Sequence, residues 1–229
     1  MTTLSVVIPC FNEAGTIAEV LTRVRRAPFP GAKEIVVVDD GSTDGTGEAL
    51  RGLLAPQIDH LVVHPVNQGK GAAIRSALEA ATGDLVVVQD ADFEYDPDQY
   101  ASLAAPILAG DADVVFGSRF LPRQAMAFSR HRMVNGALTC ISNLFTQLRL
   151  TDMETGQKMF ARPVLASLSI RERRFGFEPE ITAKVAKGGW RVREIGVPYA
   201  PRSRSQGKKI GWRDGVRAVY CIFRYGLFD

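Results

Sequence analysis

The sequence predicts an α/β fold with a mostly parallel central sheet and helices on both faces, and three observations carry that expectation. Four short runs rich in valine and isoleucine, at residues 4–8, 34–38, 61–63 and 85–88, recur through the first half. Strands buried on both faces of a sheet read this way. The segments between the runs carry apolar residues at helical spacing, the pattern of crossover helices joining parallel strands. Polar, acidic and glycine residues gather just after each run, where open α/β sheets bind their ligands.

The elements follow in order. Residues 13–26 read as a helix behind Asn12 as N-cap, residues 46–54 as a helix behind Asp44, and 71–81 as an alanine-rich helix. A fifth strand is expected at 113–117. Beyond Arg119 the alternation weakens. Residues 126–148 suit one or two amphipathic helices, 151–162 form a compact stretch, and helices follow at 163–169 and 178–187. A loop rich in Pro, Ser, Gly and basic residues fills 198–211, and a last amphipathic helix spans about 212–225.

At 229 residues with 46% hydrophobic content, the chain is expected to form one domain over 1–229. Cys10, Cys140 and Cys221 are scattered, so neither a disulfide framework nor a zinc site is suggested, and a reducing cytoplasmic setting fits. The opening apolar run is too short for a signal peptide. Nowhere are there about 18–20 uninterrupted apolar residues, which argues against a membrane-spanning helix. Charge is uneven: residues 1–118 carry 7 Lys/Arg against 17 Asp/Glu, and 119–229 carry 21 against 8. A basic second half points to an anionic partner, whether nucleic acid, lipid headgroups or a phosphorylated substrate.

The candidate site residues lie at the strand ends. Asp90-Ala91-Asp92, with Glu94 at the next alternate position, offers hard carboxylate oxygens suited to Mg²⁺ or Mn²⁺ bridging a diphosphate. The segment VVVDDGSTDGT at 36–46 places Asp39 and Asp40 where they could hold a base or ribose, or simply close a turn. Asn67 to Gly71 opens a helix with glycines beside Lys70, a phosphate cradle without the Walker A spacing. His60, His64 and His131 form no ligand set and read as packing or surface residues, as do Trp190 and Trp212.

Taken together, PCFNE, VVVDDGSTDGT, NQGKGAAIRSAL, DLVVVQDADFE and VVFGSRF, in that order, closely resemble family 2 glycosyltransferases with the GT-A nucleotide-sugar fold. The segments LTDMETGQKMFAR, FGFEPEITAK and RSRSQGKKIGWRDG resemble the branch of dolichol-phosphate mannose synthases and polyprenyl-phosphate glucosyltransferases. The resemblance implies a nucleotide-sugar half at 1–118 and an acceptor half at 119–229.

It further implies that Pro9, Phe11, Asn12, Glu13, Asp39 and Asp40 cradle the nucleoside. Lys70, Asp90 and Ala91 would border the ribose and diphosphate, and Asp90, Asp92 and Glu94 the metal. Some relatives carry Gln at the place of Glu94. Arg119 and Arg132 match arginines near an acceptor phosphate, and Arg202 with Lys208 matches a loop closing over the diphosphate. Asp152, Thr155, Gly156 and Gln157 match the acceptor-side motif, except that relatives more often carry an aromatic or aliphatic residue at Gln157. Glu178 and Glu180 fall where other members hold a catalytic base. Pro179 interrupts the usual pair, so they read as structural or donor-sugar contacts.

The implied reaction is inverting sugar transfer from a UDP- or GDP-sugar to a polyprenyl phosphate, at the cytoplasmic face of an anionic membrane. The chain would sit there peripherally or rely on a separate membrane subunit. Two rivals remain: the same fold acting on a soluble acceptor, and a non-catalytic nucleotide or nucleic-acid module. The acidic strand ends argue against nucleic acid, whose phosphates they would repel.

Overall fold

The computed structural model describes residues 1–121, 130–202 and 211–228. Its seven-stranded sheet has the order β3-β2-β1-β4-β6-β5-β7. The parallel half comprises β1 (Thr3–Cys10), β2 (Ala32–Asp39), β3 (His60–Val63) and β4 (Leu85–Val88), joined by α1 (Ile17–Arg26), α2 (Thr46–Arg51) and α3 (Lys70–Ala80). The apolar runs are continuous because both faces of these strands are covered. Leu4, Val6 and Ile8 of β1, Ile35 and Val37 of β2, and Val87 of β4 pack beneath α1. The alternate residues Val7, Val36, Val38, Val86 and Val88 pack beneath α3. Period-two alternation thus serves two cores at once.

The second half departs from the expected pattern. Residues 100–108, unassigned from sequence, form α4 (Tyr100–Leu108), whose Tyr100, Leu103 and Ala104 extend the α1 core. Pro106 lies inside that helix, a residue that ordinarily argues against one. β5 (Val114–Ser118) and α5 (Arg130–Thr146) follow, and then the compact stretch yields β6 (Lys158–Ala161). β6 inserts antiparallel between β4 and β5. Its four residues begin with buried Lys158, so no apolar run announced it. Past α6 (Arg162–Ala166) and α7 (Phe177–Lys187), β7 (Val192–Gly196) adds a second unforeseen strand, parallel to β5 at the sheet edge.

The expected helix boundaries need correction at α1 and α2. Helix α1 starts at Ile17 behind Thr16, not behind Asn12, and α2 starts behind Gly45 and ends at Arg51. Asp44 keeps a local role, its Oδ1 accepting from Thr46 N at 3.0 Å. α8 (Trp212–Leu227) lies where the last amphipathic helix was expected, with Ala218 and Ile222 in the second core. Among the described residues, no helix is long and apolar enough to cross a membrane.

Candidate active site

Loops after the carboxyl ends of β1, β2, β4 and β5 border a single cleft of about 1490 Å³. That exceeds the roughly 300–1,000 Å³ of an ordinary small-molecule pocket and leaves room for two reactants.

Each loop is pinned by its own side chains. Asn12 adopts a left-handed backbone, φ +52°, and joins the β1 loop to the β2 loop. Its N–H donates to Ser42 Oγ at 3.0 Å and its Oδ1 accepts from Thr43 N at 2.8 Å. Asp39 accepts from Ser42 N at 3.0 Å and is buried beneath the same turn. Neither residue lines the cleft, whereas Pro9, Phe11, Glu13 and Asp40 do. Asp40 anchors the next loop: its carboxylate accepts from Gln68 N at 2.9 Å, Gly69 N at 2.8 Å and Asn67 Nδ2 at 3.0 Å. It also meets His64 Nδ1 at 2.6 Å, and His64 Nε2 reaches Ser76 Oγ at 2.9 Å. This accounts for the buried histidine as a structural link.

Gly69 precedes α3 at φ +101°, and a Cβ there would lie 2.5 Å from the Arg173 carbonyl oxygen. Glycine alone allows the turn and the close approach. Lys70 then projects its Nζ to within 2.8 Å of Asp90 Oδ1 and 3.3 Å of Glu178 Oε1. Burial pulls this ammonium's pKa down, but Asp90 and then Glu178 outweigh burial and hold it above the ordinary lysine value.

Asp90, Asp92 and Glu94 all line the cleft, each turned to a partner of its own. Asp92 faces Arg202, Nη2 to Oδ2 at 2.7 Å. Glu94 accepts from Tyr199 Oη at 3.0 Å and from Arg202 N at 2.9 Å. Arg202 also grips Glu13, at 3.0 and 3.1 Å. Among the described residues, no three His, Cys, Asp or Glu groups are gathered to hold a metal. Lys70 pairs with Asp90 and Arg202 with Asp92, opposite charges holding each carboxylate toward its cation. The donor set still suits a divalent cation. Burial, and then the neighbouring Asp90, push the Asp92 carboxyl up to about 7, and a hard cation on these two acids would relieve that repulsion.

Arg119 enters the cleft from the end of β5. Its Nε and Nη2 grip Asp152 at 2.6 and 2.7 Å, and its backbone N–H donates to the same carboxylate at 3.0 Å. The guanidinium also lies 5.2 Å from the Tyr199 ring centroid, so its direction is tightly set. Arg132 does not line the cleft; it sits over Phe120 at 5.3 Å.

Of the four motif residues from 152 to 157, only Gly156 reaches the wall. Asp152 is buried holding Arg119, Thr155 Oγ1 donates to the Gly117 carbonyl, and Gln157 is buried with its Nε2 on the Asp96 carbonyl at 3.4 Å. Glu180 serves the backbone, accepting from Arg171 N and Glu172 N, both at 2.7 Å. Lys208 lies outside the described residues.

The cleft has a second, apolar end between α5 and α8, lined by Val134, Leu138 and Ile141 from one and Val216 and Val219 from the other. Sequence reasoning did not assign Tyr95, Glu154, Arg174, Phe175 or Tyr199 to the cleft, yet all line it. Glu154 and Phe175 lie within the motifs that carry the family resemblance, Glu154 as an acid two positions before Gly156. The others come from segments without periodicity.

The glycosyl transferase family 2 model matches residues 5–168, more than half of the chain. The chain belongs to glycosyl transferase family 2. It is 30% identical over 222 residues to the low-salt glycan biosynthesis hexosyltransferase Agl6 of Haloferax volcanii, spanning 92% of this chain but only 52% of that protein. It is 29% identical to the undecaprenyl-phosphate mannosyltransferase of Micrococcus luteus, over 96% of this chain and 93% of that one.

The glucosyl-3-phosphoglycerate synthase of Mycobacterium tuberculosis, solved with Mn²⁺, UDP and glucosyl-3-phosphoglycerate, superposes with a TM-score of 0.75. Identity is 22%, covering 98% of this chain and 80% of that one. The fold is that of the GT-A glycosyltransferases, and this family 2 member is a glycosyltransferase with a mixed rather than wholly parallel sheet.

Within this enzyme Gly156 has a testable role. A Cβ there would lie 2.6 Å from Asp90 Oδ2 and 3.0 Å from Tyr95 Cε2. Gly156→Ala is expected to push Asp90 away and lower sugar transfer about a hundredfold, the scale of a 1 Å misplacement. Circular dichroism should stay that of the wild type. Transfer within threefold of wild type would show that the Asp90 position is not critical.

Proposed function

We propose that this glycosyltransferase moves a hexose from a UDP- or GDP-sugar to a polyprenyl phosphate, with inversion, at the cytoplasmic face of a membrane. The observation that carries the reading is one cleft joining an end built from acids and cations to an apolar end between α5 and α8. A nucleotide sugar is polar and multiply charged, whereas a polyprenyl phosphate pairs one anionic head with an apolar tail. The two ends suit those two reactants. The near full-length match to an undecaprenyl-phosphate mannosyltransferase supports the same acceptor class.

In this reading residues 1–229 act as one unit, with 1–118 serving the donor and 119–229 the acceptor. Pro9, Phe11, Glu13 and Asp40 border the nucleoside, with Asn12 and Asp39 shaping the loops behind them. Asp90 and Asp92 would hold Mg²⁺ or Mn²⁺, with Glu94 beside them; when bound, the cation supplies charge stabilisation for the departing diphosphate. Lys70 and Arg202 swing from carboxylate partners toward that diphosphate, joined by Lys208. Arg119, fixed by Asp152, presents its guanidinium to the acceptor phosphate, with Arg132 further out.

The acceptor oxygen is already ionised near neutral pH, so no strong general base is needed. It attacks the anomeric carbon as the bond to the diphosphate breaks, and catalysis is positioning plus charge stabilisation.

On α5 and α8, the two helices that line the apolar end, Met133, Val134 and Leu144 and Val216, Tyr220, Phe223 and Leu227 are exposed. Together with the basic second half they suit an anionic bilayer surface, directly or through a membrane subunit. Nucleic acid is disfavoured by the acidic strand ends.

The test is a screen of UDP- and GDP-sugars with Mg²⁺ or Mn²⁺ and a short polyprenyl phosphate in anionic vesicles, following the lipid-linked sugar by mass. Lipid product from one donor supports the reading. Donor hydrolysis without lipid product assigns a soluble acceptor instead, and no turnover of any donor overturns the donor assignment.

A further inference from the structure

Helix α8 lines the cleft with Asp214, Gly215, Val216, Ala218 and Val219, while two other side chains of the same helix hold one buried carboxylate. Glu172, on the segment between α6 and α7, is 7% exposed and lies off the cleft wall. Its Oε1 accepts from Arg217 Nη2 at 2.7 Å and from Tyr225 Oη at 3.0 Å, and its Oε2 accepts from Arg217 Nε at 3.0 Å. Burial raises the pKa of this carboxyl, but the hydrogen bonds from Arg217 and Tyr225 outweigh it and hold the group below the ordinary glutamate value. Neither Arg217 nor Tyr225 lines the cleft.

The main chain of the same segment meets the turn that carries Lys70. A Cβ on Gly71 would lie 2.2 Å from the Glu172 carbonyl oxygen, and one on Gly69 would lie 2.5 Å from that of Arg173. Glycines on both sides of Lys70 are what let the two backbones approach. Ala72 N then donates to the Arg173 carbonyl at 3.0 Å, and Glu172 N donates to Glu180 at 2.7 Å. Lys70 in turn holds Asp90 at 2.8 Å. Glu172 is therefore fastened to α8 through its side chain and packed on the Lys70 turn through its main chain.

We infer that Glu172 is a positioning residue for the donor site, joining the seat of α8 to the Lys70 turn, so that nucleotide affinity depends on how α8 is held. This rests on the nucleotide-sugar reading above and adds to it a residue that touches no substrate. A displacement of about 1 Å is enough to cost a site much of its function while the fold survives.

The test is calorimetric titration of UDP and of GDP, each with Mn²⁺, into the full chain and into the double variant Arg217→Met, Tyr225→Phe. The nucleotide that the wild type binds is expected to bind the double variant about tenfold more weakly, the scale of losing hydrogen bonds to a charged group. Arg217→Lys keeps the charge and should recover binding to within about threefold. A double variant that melts lower but binds within about twofold of the wild type shows a clasp serving stability alone, and overturns the inference. A wild-type chain that binds neither nucleotide removes the donor reading itself.

Should the double variant fail to fold, hydrogen exchange on the unaltered chain carries the same test. Coupling is reciprocal, so the bound nucleotide with Mn²⁺ is expected to slow exchange about threefold or more at residues 220–227 of α8, beyond those that line the cleft. Unchanged exchange there, with the nucleotide bound, overturns the inference and spares the donor reading.

Discussion

Asp92→Asn is expected to abolish nearly all sugar transfer, lowering it about a thousandfold, the upper range for removing one preorganised charge-stabilising group. Asp92 is almost buried, stands beside Asp90, and has Arg202 at 2.7 Å as its ion-pair partner. Burial and crowding by Asp90 offset what the ion pair contributes to stability, and the adjacent acids suit a divalent cation. Asparagine keeps the shape and one oxygen but removes the charge that would hold the cation and balance the diphosphate. Removing a crowded carboxylate also relieves repulsion, so the variant should melt no lower than the wild type. Product assay and thermal melting together check this. Transfer within tenfold of the wild type would refute a metal-centred role for Asp92, and an unfolded variant would show the residue to be structural.

Asp152→Ala should instead destabilise the fold. Asp152 is fully buried and accepts three hydrogen bonds from Arg119, at 2.6, 2.7 and 3.0 Å. Arg119 is itself 6% exposed, so the substitution strands a guanidinium away from both water and counter-ion. Breaking one side of a buried ion pair costs about 3–5 kcal/mol. For a chain of this size that lowers the melting temperature by roughly 6–20 °C, at about 2–4 °C per kcal/mol. Activity measured well below the transition should also fall, since Arg119 lines the cleft and its direction depends on Asp152. A change in melting temperature under 2 °C would mean that the pair contributes little. Loss of activity without loss of stability would place Asp152 at the chemistry itself.

These two acids show how unevenly the sequence revealed the site. Asp92 was legible because strand-end chemistry is local: a buried apolar run followed by alternate carboxylates needs only a few adjacent residues to read. Asp152 was found by resemblance, and its work, holding Arg119 across 33 positions, has no periodic signature. Asp39 and Asn12 lie at the strand ends but not on the cleft wall. Their side chains satisfy backbone donors of the loops instead, a choice that depends on how two loops meet.

The sequence by itself determined the parallel half of the sheet, the crossover helices and the strand ends where ligands bind. Continuous apolar runs, helical spacing and turn residues are short-range signals, and both cores follow from them. Only the tertiary structure decided that β6 enters antiparallel between β4 and β5, and which groups face the acids. Arg202 meets Glu13 across 189 positions, and Lys70 meets Glu178. Strand order and long-range electrostatics bring such pairs together. Neither leaves a periodic trace in the chain, because a contact between distant residues is set by the folded path between them and not by their neighbours.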